Sequence, residues 1–186
     1  GDSVLGKALE MVNIRKTFPG VVALDDASFD LSDGEVHALL GENGAGKSTL
    51  MKVLFGIYRK DSGQIRIRGE EVDIARPEDS YNLGVRLIPQ ELSLIPTLSV
   101  MENIFAGQLP VGRFNLVDRN QMKEGADEVL TQLGFTTIDL KTRVSDLSVS
   151  AQQMVAIARA FQSSPSIIVF DEPTSALSRE ETDNLF

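Results

Sequence analysis

The chain has 186 residues, 42% hydrophobic and 24% charged, with a net charge of −9, one histidine and no cysteine. That length carries one domain with a sizeable core, and the acidic balance argues against general nucleic-acid binding, which calls for a basic face. No apolar run reaches the roughly 18 residues of a membrane span, no secretory leader is visible, and the absence of cysteine excludes disulfides and thiolate metal sites and fits a reducing cytoplasm.

In chain order, residues 1–7 read as a flexible start. Residues 8–14 and 26–31 read as short strands, with a turn over Lys16-Thr17-Phe18-Pro19-Gly20 between them. The spacing leaves Phe18 open to two readings, a core residue or an exposed aromatic that stacks on a base. Residues 35–40 are mostly apolar and end at a glycine, the pattern of a buried strand. His37 lies inside it and reads as structural, not as a ligand or base. Next comes Gly41-Glu42-Asn43-Gly44-Ala45-Gly46-Lys47-Ser48-Thr49, which fits G-x-x-x-x-G-K-[ST]. Residues 50–55 then read as a helix that Gly56 closes.

Strand, glycine loop and helix form the context this motif requires. The three glycines let the backbone curl so that successive N–H groups face inward as an anion nest, and the positive end of the following helix adds to the field. Lys47 is expected over the β- and γ-phosphates of a nucleotide, the Ser48 hydroxyl on Mg2+, and Thr49 on a phosphate oxygen.

Farther on, residues 64–68 and 71–74 read as a hairpin turning through Gly69-Glu70, and Pro77 opens a short helix. Residues 85–88 read as a strand that ends at Pro89-Gln90-Glu91. A short helix is expected over 100–106 and irregular chain over 107–115. Asp118 reads as the N-cap of a helix whose Met122, Ala126, Val129, Leu130 and Leu133 fall at helical spacing and which Gly134 ends. A second helix is expected over 151–162 with Met154, Ile157, Ala158 and Phe161 as core packing. Residues 167–170, Ile-Ile-Val-Phe, form an apolar run of strand length ending in Asp171-Glu172, and Ser178 caps a last helix. Such a run is weak evidence alone; after a phosphate loop it reads as the strand whose aspartate holds Mg2+ and whose glutamate polarises an attacking water.

These stretches together resemble the ATP-binding cassette (ABC) ATPases. The resemblance rests on residues 41–49, Gln90 after a strand, Leu147-Ser148-Val149-Ser150-Ala151-Gln152-Gln153 ahead of a helix, and 167–177, and it covers nearly the whole chain. The wording of 17–21, 89–96 and 152–155 is most similar to the first cassette of monosaccharide importers of the ribose, galactose and xylose class. The resemblance implies an α/β P-loop NTPase of RecA-like type. Its parts would be a mostly parallel core sheet, an N-terminal antiparallel β-subdomain and an inserted helical subdomain. One cassette would fill the chain, with the core and β-subdomain at about 1–88 and 164–186 and the helical part at about 89–163. It implies an ATPase that drives sugar uptake, with ATP and Mg2+ bound. Partners would be membrane permease subunits, a second cassette and, indirectly, an external sugar-binding protein; its place would be peripheral, on the cytoplasmic face of the membrane.

Residue by residue, the resemblance assigns Phe18 to adenine stacking and Glu42, Asn43, Ala45 and the rest of 41–49 to the phosphates. Ser48, Gln90 and Asp171 fall to the metal, Glu172, Lys47 and Gln90 to catalysis, Ser148 to the partner subunit's γ-phosphate, and 176–178 to the D-loop. Two departures stand out. Ser150 and Ala151 replace a glycine and a glutamine of the usual signature, so one of two composite sites is expected to be weakened by crowding or by backbone angles that glycine allowed. The family's switch histidine follows one strand beyond Asp171-Glu172, past Phe186, so the sequence reads as a truncated cassette that binds nucleotide and hydrolyses it poorly. Competing readings are a hydrolysis-deficient regulatory cassette, a soluble relative acting in translation or DNA repair, and a small-molecule P-loop kinase, which needs no signature helix.

Overall fold

The computed structural model describes residues 6–41, 44, 46–89, 91–112 and 115–171, and the chain divides into two compact units, one up to Val85 and one from Arg86 on. The first holds strands β1 (Lys7–Phe18) and β2 (Val21–Ser32), helix α1 (Lys47–Leu54), strands β3 (Ser62–Ile67) and β4 (Glu70–Val72), and helix α2 (Pro77–Asn82). Its strands pair antiparallel in the order β2-β1-β3-β4.

Both β1 and β2 run longer than sequence alternation suggests, because bulges reset the phase. In β1, Leu9 and Met11 are buried; Asn13 then takes a left-handed φ of 53° at a register shift, and Ile14 returns to the core face. An extra residue in one strand does this by turning the pleat over. The turn between the two strands is only Pro19-Gly20, with Phe18 paired to Val21. The β3–β4 hairpin turns one residue earlier than expected: Arg68 and Gly69 have φ of 51° and 81°, and Ile67 pairs with Glu70. Two successive positive φ values make the tight turn that matches strand twist.

Helix α1 buries Leu50, Val53 and Leu54 and lies against β2. Gly56 closes it as expected, with φ 67° and its N–H donating to the Val53 carbonyl, while the N–H groups of Ile57 and Tyr58 donate to Lys52. A Cβ at Gly56 would lie 2.3 Å from the Arg76 carbonyl oxygen, so only glycine fits this crossing.

The expected buried strand at 35–40 is not there. These residues have no strand assignment and are exposed, Val36 at 68% and Leu40 at 87%. An apolar run becomes a strand only when a neighbour takes up its N–H and C=O groups. Among the described residues no strand pairs with this one. His37 accordingly sits on an exposed extended segment, its Nδ1 2.9 Å from Glu35 Oε1 and its ring edge-on to Phe29.

The second unit holds β5 (Val85–Ile88), α3 (Val100–Ile104), α4 (Arg119–Gln132), α5 (Val149–Phe161) and β6 (Ile167–Phe170). The Asp171 N–H donates to the Ile88 carbonyl, which puts the C-terminal ends of β5 and β6 side by side, so the two strands run parallel. Helices α3, α4 and α5 pack on one another around Val100, Ile104, Ala126, Leu130, Val155 and Ile157. Their ends are set by capping. Ser99 and Glu102 make a capping box on α3, Asp118 Oδ1 accepts from the N–H groups of Asn120 and Gln121 on α4, and Ser148 accepts from Ala151 on α5. The Ser148 cap starts α5 two residues before the position expected. Helix α3 is shorter than 100–106, ending at Ile104. Val155 joins the buried face of α5, while Met154 and Phe161 are half-buried. No helix among the described residues is long and apolar enough to cross a membrane.

Candidate nucleotide site

The glycine loop delivers its backbone to the N-terminus of α1. Gly44 and Gly46 have φ of 90° and 83°, and Gly46 is the N-cap of α1 in a left-handed conformation with no side chain accepting from the helix. The first turn of α1 has no acidic residue. Its N–H groups and the positive helix end are therefore offered to an anion and not to a capping carboxylate. The Lys47 ammonium donates to the Gly41 carbonyl, drawing the start of the loop over its end. Ser48 is exposed on the first turn and Thr49 half-buried. Gly41, Gly44, Gly46, Lys47, Ser48 and Thr49 thus lie together at the start of α1; Glu42, Asn43 and Ala45 lie outside the described residues.

The loop is fixed to β2. A Cβ at Gly46 would meet Leu24 Cδ2 at 2.8 Å and the Ala23 carbonyl oxygen at 3.0 Å. Leu24 stands opposite Lys16, two residues before Phe18, in the β1–β2 ladder. From Leu24 to Val21, the partner of Phe18, is three residues, or ~10 Å of strand.

Phe18 is half-buried at the hairpin tip. Its ring meets Tyr58 edge-to-face at 5.0 Å and 73°, and the Lys16 ammonium lies 5.4 Å from its centroid. Asp61 ties down the residues before it: Oδ2 accepts from the Thr17 N–H and hydroxyl, both at 2.7 Å, and Oδ1 from the Lys16 ammonium at 3.1 Å. Neither Tyr58 nor Asp61 is marked by the sequence. The Thr17 hydroxyl, then the Thr17 amide and Lys16, hold the Asp61 carboxyl down to about 2 from its ordinary 3.8. A carboxylate depressed by folding stabilises the fold above its unfolded pKa and loses that contribution as pH falls through its folded one. The Thr17 amide shift should therefore titrate with a midpoint near 2 in the folded chain, and Thr17→Ala should move the Asp61 carboxyl shift toward 3.8.

In the second unit, Asp171 is exposed at the end of β6, and Ser148 is exposed at the N-terminus of α5. Ser150 lies in the first turn of α5 with ordinary helical backbone, not among the residues of positive φ. The backbone part of the expected penalty at 150 therefore does not arise; only the size of its side chain remains. Gln90, Glu172 and 176–178 lie outside the described residues. Ser48 and Asp171 are exposed oxygen donors, the hard ligands that magnesium takes, so the donor chemistry of the chain fits that ion.

The ABC transporter family model matches residues 24–175. A provisionally named ribose/galactose/methyl galactoside import ATP-binding protein 3 of Agrobacterium fabrum is 51% identical over 179 residues, 96% of this chain and 36% of the relative. The ribose import ATP-binding protein RbsA 1 of Rubrobacter xylanophilus is 50% identical over 178 residues, 96% of this chain and 35% of that protein. The chain thus spans about a third of the length of the curated relatives it matches. Among solved structures, an ATP-binding cassette of an ABC transporter in its ADP conformation superposes with a TM-score of 0.79 at 26% identity, covering 96% of this chain and 74% of that one. A nucleotide-free cassette superposes with a TM-score of 0.80 at 25% identity and the same coverage. A phosphate loop on an uncapped helix, one antiparallel β-unit, one helical unit and these matches have one common explanation: the chain belongs to the ATP-binding cassette family of ABC transporters.

Proposed function

We propose that the chain is the ATP-hydrolysing motor portion of an importer for monosaccharides of the ribose, galactose and xylose class. The observation that carries it is the uncapped start of α1, where two left-handed glycines and Lys47 leave helix amides for a triphosphate; the import proteins among its relatives supply the sugar class. Phe18 stacks on the base, residues 41–49 hold the phosphates, and Lys47 carries charge toward the terminal one. Ser48, Gln90 and Asp171 hold magnesium, which when bound neutralises charge on the phosphate oxygens. Glu172 aligns the attacking water and accepts its proton. Ser148 and the start of α5 meet the γ-phosphate on a second cassette. Residues 89–163 form the helical subdomain within a single cassette, docking a permease at the cytoplasmic face of the membrane; an external binding protein delivers the sugar.

Two experiments test this. In the complete protein, Glu172→Gln should abolish turnover and leave a long-lived ATP-bound dimer on gel filtration; loss of turnover without such a dimer, or no loss, overturns the motor reading in favour of a regulatory cassette. Ser150→Gly should raise ATPase turnover by relieving crowding at the composite site, with ordinary helical backbone already in place at 150; an unchanged rate removes Ser150 as a constraint.

A further inference from the structure

We propose that Tyr58 and Asp61 are positioning residues for nucleotide base recognition, together setting the Phe18 ring that the base stacks on. The proposal rests on the reading of Phe18 as the base-stacking residue. Phe18 stands at the tip of a two-residue turn, where a lone aromatic would sample several orientations, and stacking on a mobile ring loses much of its energy to ordering. Two independent contacts remove that freedom.

The first is Asp61. It holds Lys16 and Thr17, the two residues before Phe18, through three hydrogen bonds, and its own N–H donates to the Arg15 carbonyl. One residue from the β3 end thus grips three consecutive positions of β1. Those bonds hold its carboxyl well below the usual carboxylate range, so it is ionised at neutral pH.

The second contact is Tyr58. Its backbone is placed by the turn that ends α1, through its N–H bond to Lys52, and the Lys52 ammonium lies 5.5 Å from its ring centroid. The Phe18–Tyr58 contact has the edge-to-face geometry in which ring quadrupoles attract. The helix that offers its N-terminus to phosphates therefore also sends the aromatic at its other end against the base platform. Both ends of a nucleotide would be registered to one rigid element.

The test is calorimetric titration of the full chain with Mg·ATP and, separately, with Mg·tripolyphosphate, which has the phosphates and no base. Tyr58→Leu should weaken ATP binding about 3- to 10-fold, the size of one aromatic pair, with tripolyphosphate affinity unchanged. Tyr58→Phe should restore ATP binding. Asp61→Asn, at an exposed side chain that threatens folding least, should show the same base-selective loss. Phe18→Ala serves as the reference. If Phe18→Ala weakens ATP selectively while Tyr58→Leu and Asp61→Asn do not, the positioning role is wrong and the stacking role of Phe18 stands. If Phe18→Ala leaves ATP affinity untouched, the stacking role fails and takes the proposal with it. A parallel fall in ATP and tripolyphosphate binding would make Tyr58 and Asp61 general supports of the fold and equally overturn it.

Discussion

Gly46→Ala is expected to lose about 2–4 kcal/mol of folding stability and most nucleotide affinity, whereas Gly44→Ala loses about 1–2 kcal/mol and keeps more of it. Both glycines have left-handed backbone, at φ 83° and 90°, so each substitution carries the cost of placing an L-residue there. They differ in what lies beside the missing Cβ. At Gly44 there is nothing within 4 Å; at Gly46 the added carbon would lie 2.8 Å from Leu24 Cδ2 and 3.0 Å from a backbone oxygen of β2. The leucine can shift, but the Ala23 carbonyl is main chain within β2, so the N-cap itself must move. Moving it turns the first amides of α1 away from the point where they converge. Chemical denaturation gives the stability difference, and calorimetry with Mg·ATP the affinity. Equal losses in the two variants would mean that packing of Gly46 on β2 is not what holds the loop in place.

The glycine turn into α1, the Asp118 cap and the Gly56 stop were legible because their chemistry is spelled by neighbours in sequence. Nine consecutive residues carry the loop, Asp118 caps amides two and three residues on, and Gly56 ends the helix it follows. What stayed hidden depends on partners far along the chain. The bulge at Asn13 and the left-handed turn residue Arg68 look like ordinary strand polar residues until the ladder fixes their φ. Residues 35–40 carry the composition of a strand, but pairing belongs to the neighbour as much as to the segment, and no composition reports a neighbour. The base platform was half legible: Phe18 stood out as an aromatic near a glycine loop, while Asp61 reaches Thr17 from 44 positions away. Nothing in the local pattern of Asp61-Ser62-Gly63 beyond a turn hints at that contact.

Asn103→Leu, which keeps the branching at Cγ but puts two bulkier methyl groups in place of the amide, is expected to cost about 2–4 kcal/mol, through the hydrogen bonds it leaves unmade and through overpacking at a fully buried position. Asn103 is fully buried on α3, and its amide serves a loop that has no strand or helix of its own. Oδ1 accepts from the Ile95 N–H at 2.7 Å; Nδ2 donates to the carbonyls of Ile95 and Ser99, both at 3.0 Å, and to Leu98 at 3.4 Å. The rest of the loop is tied by Ser145 and Val144 N–H groups to the Pro96 and Leu98 carbonyls and by Arg159 to Ser93. Without the asparagine, the Ile95 amide loses its partner in a part-buried place and the Ile95 carbonyl keeps only the Leu98 N–H, and unmade hydrogen bonds there are costly. Asn103→Asp separates the two halves of the role, since an ionised carboxylate still accepts from Ile95 but donates to none of the three carbonyls and brings a buried charge; it should destabilise at least as much. Hydrogen exchange gives the local readout. The Ile95 amide should lose protection in Asn103→Leu well before the α4 amides do, which places the loss in the 91–99 loop and not in the helical core. If Ile95 and α4 open together in Asn103→Leu, the asparagine supports the packing of α3 as a whole, and the loop owes its order to the contacts from Val144, Ser145 and Arg159 instead.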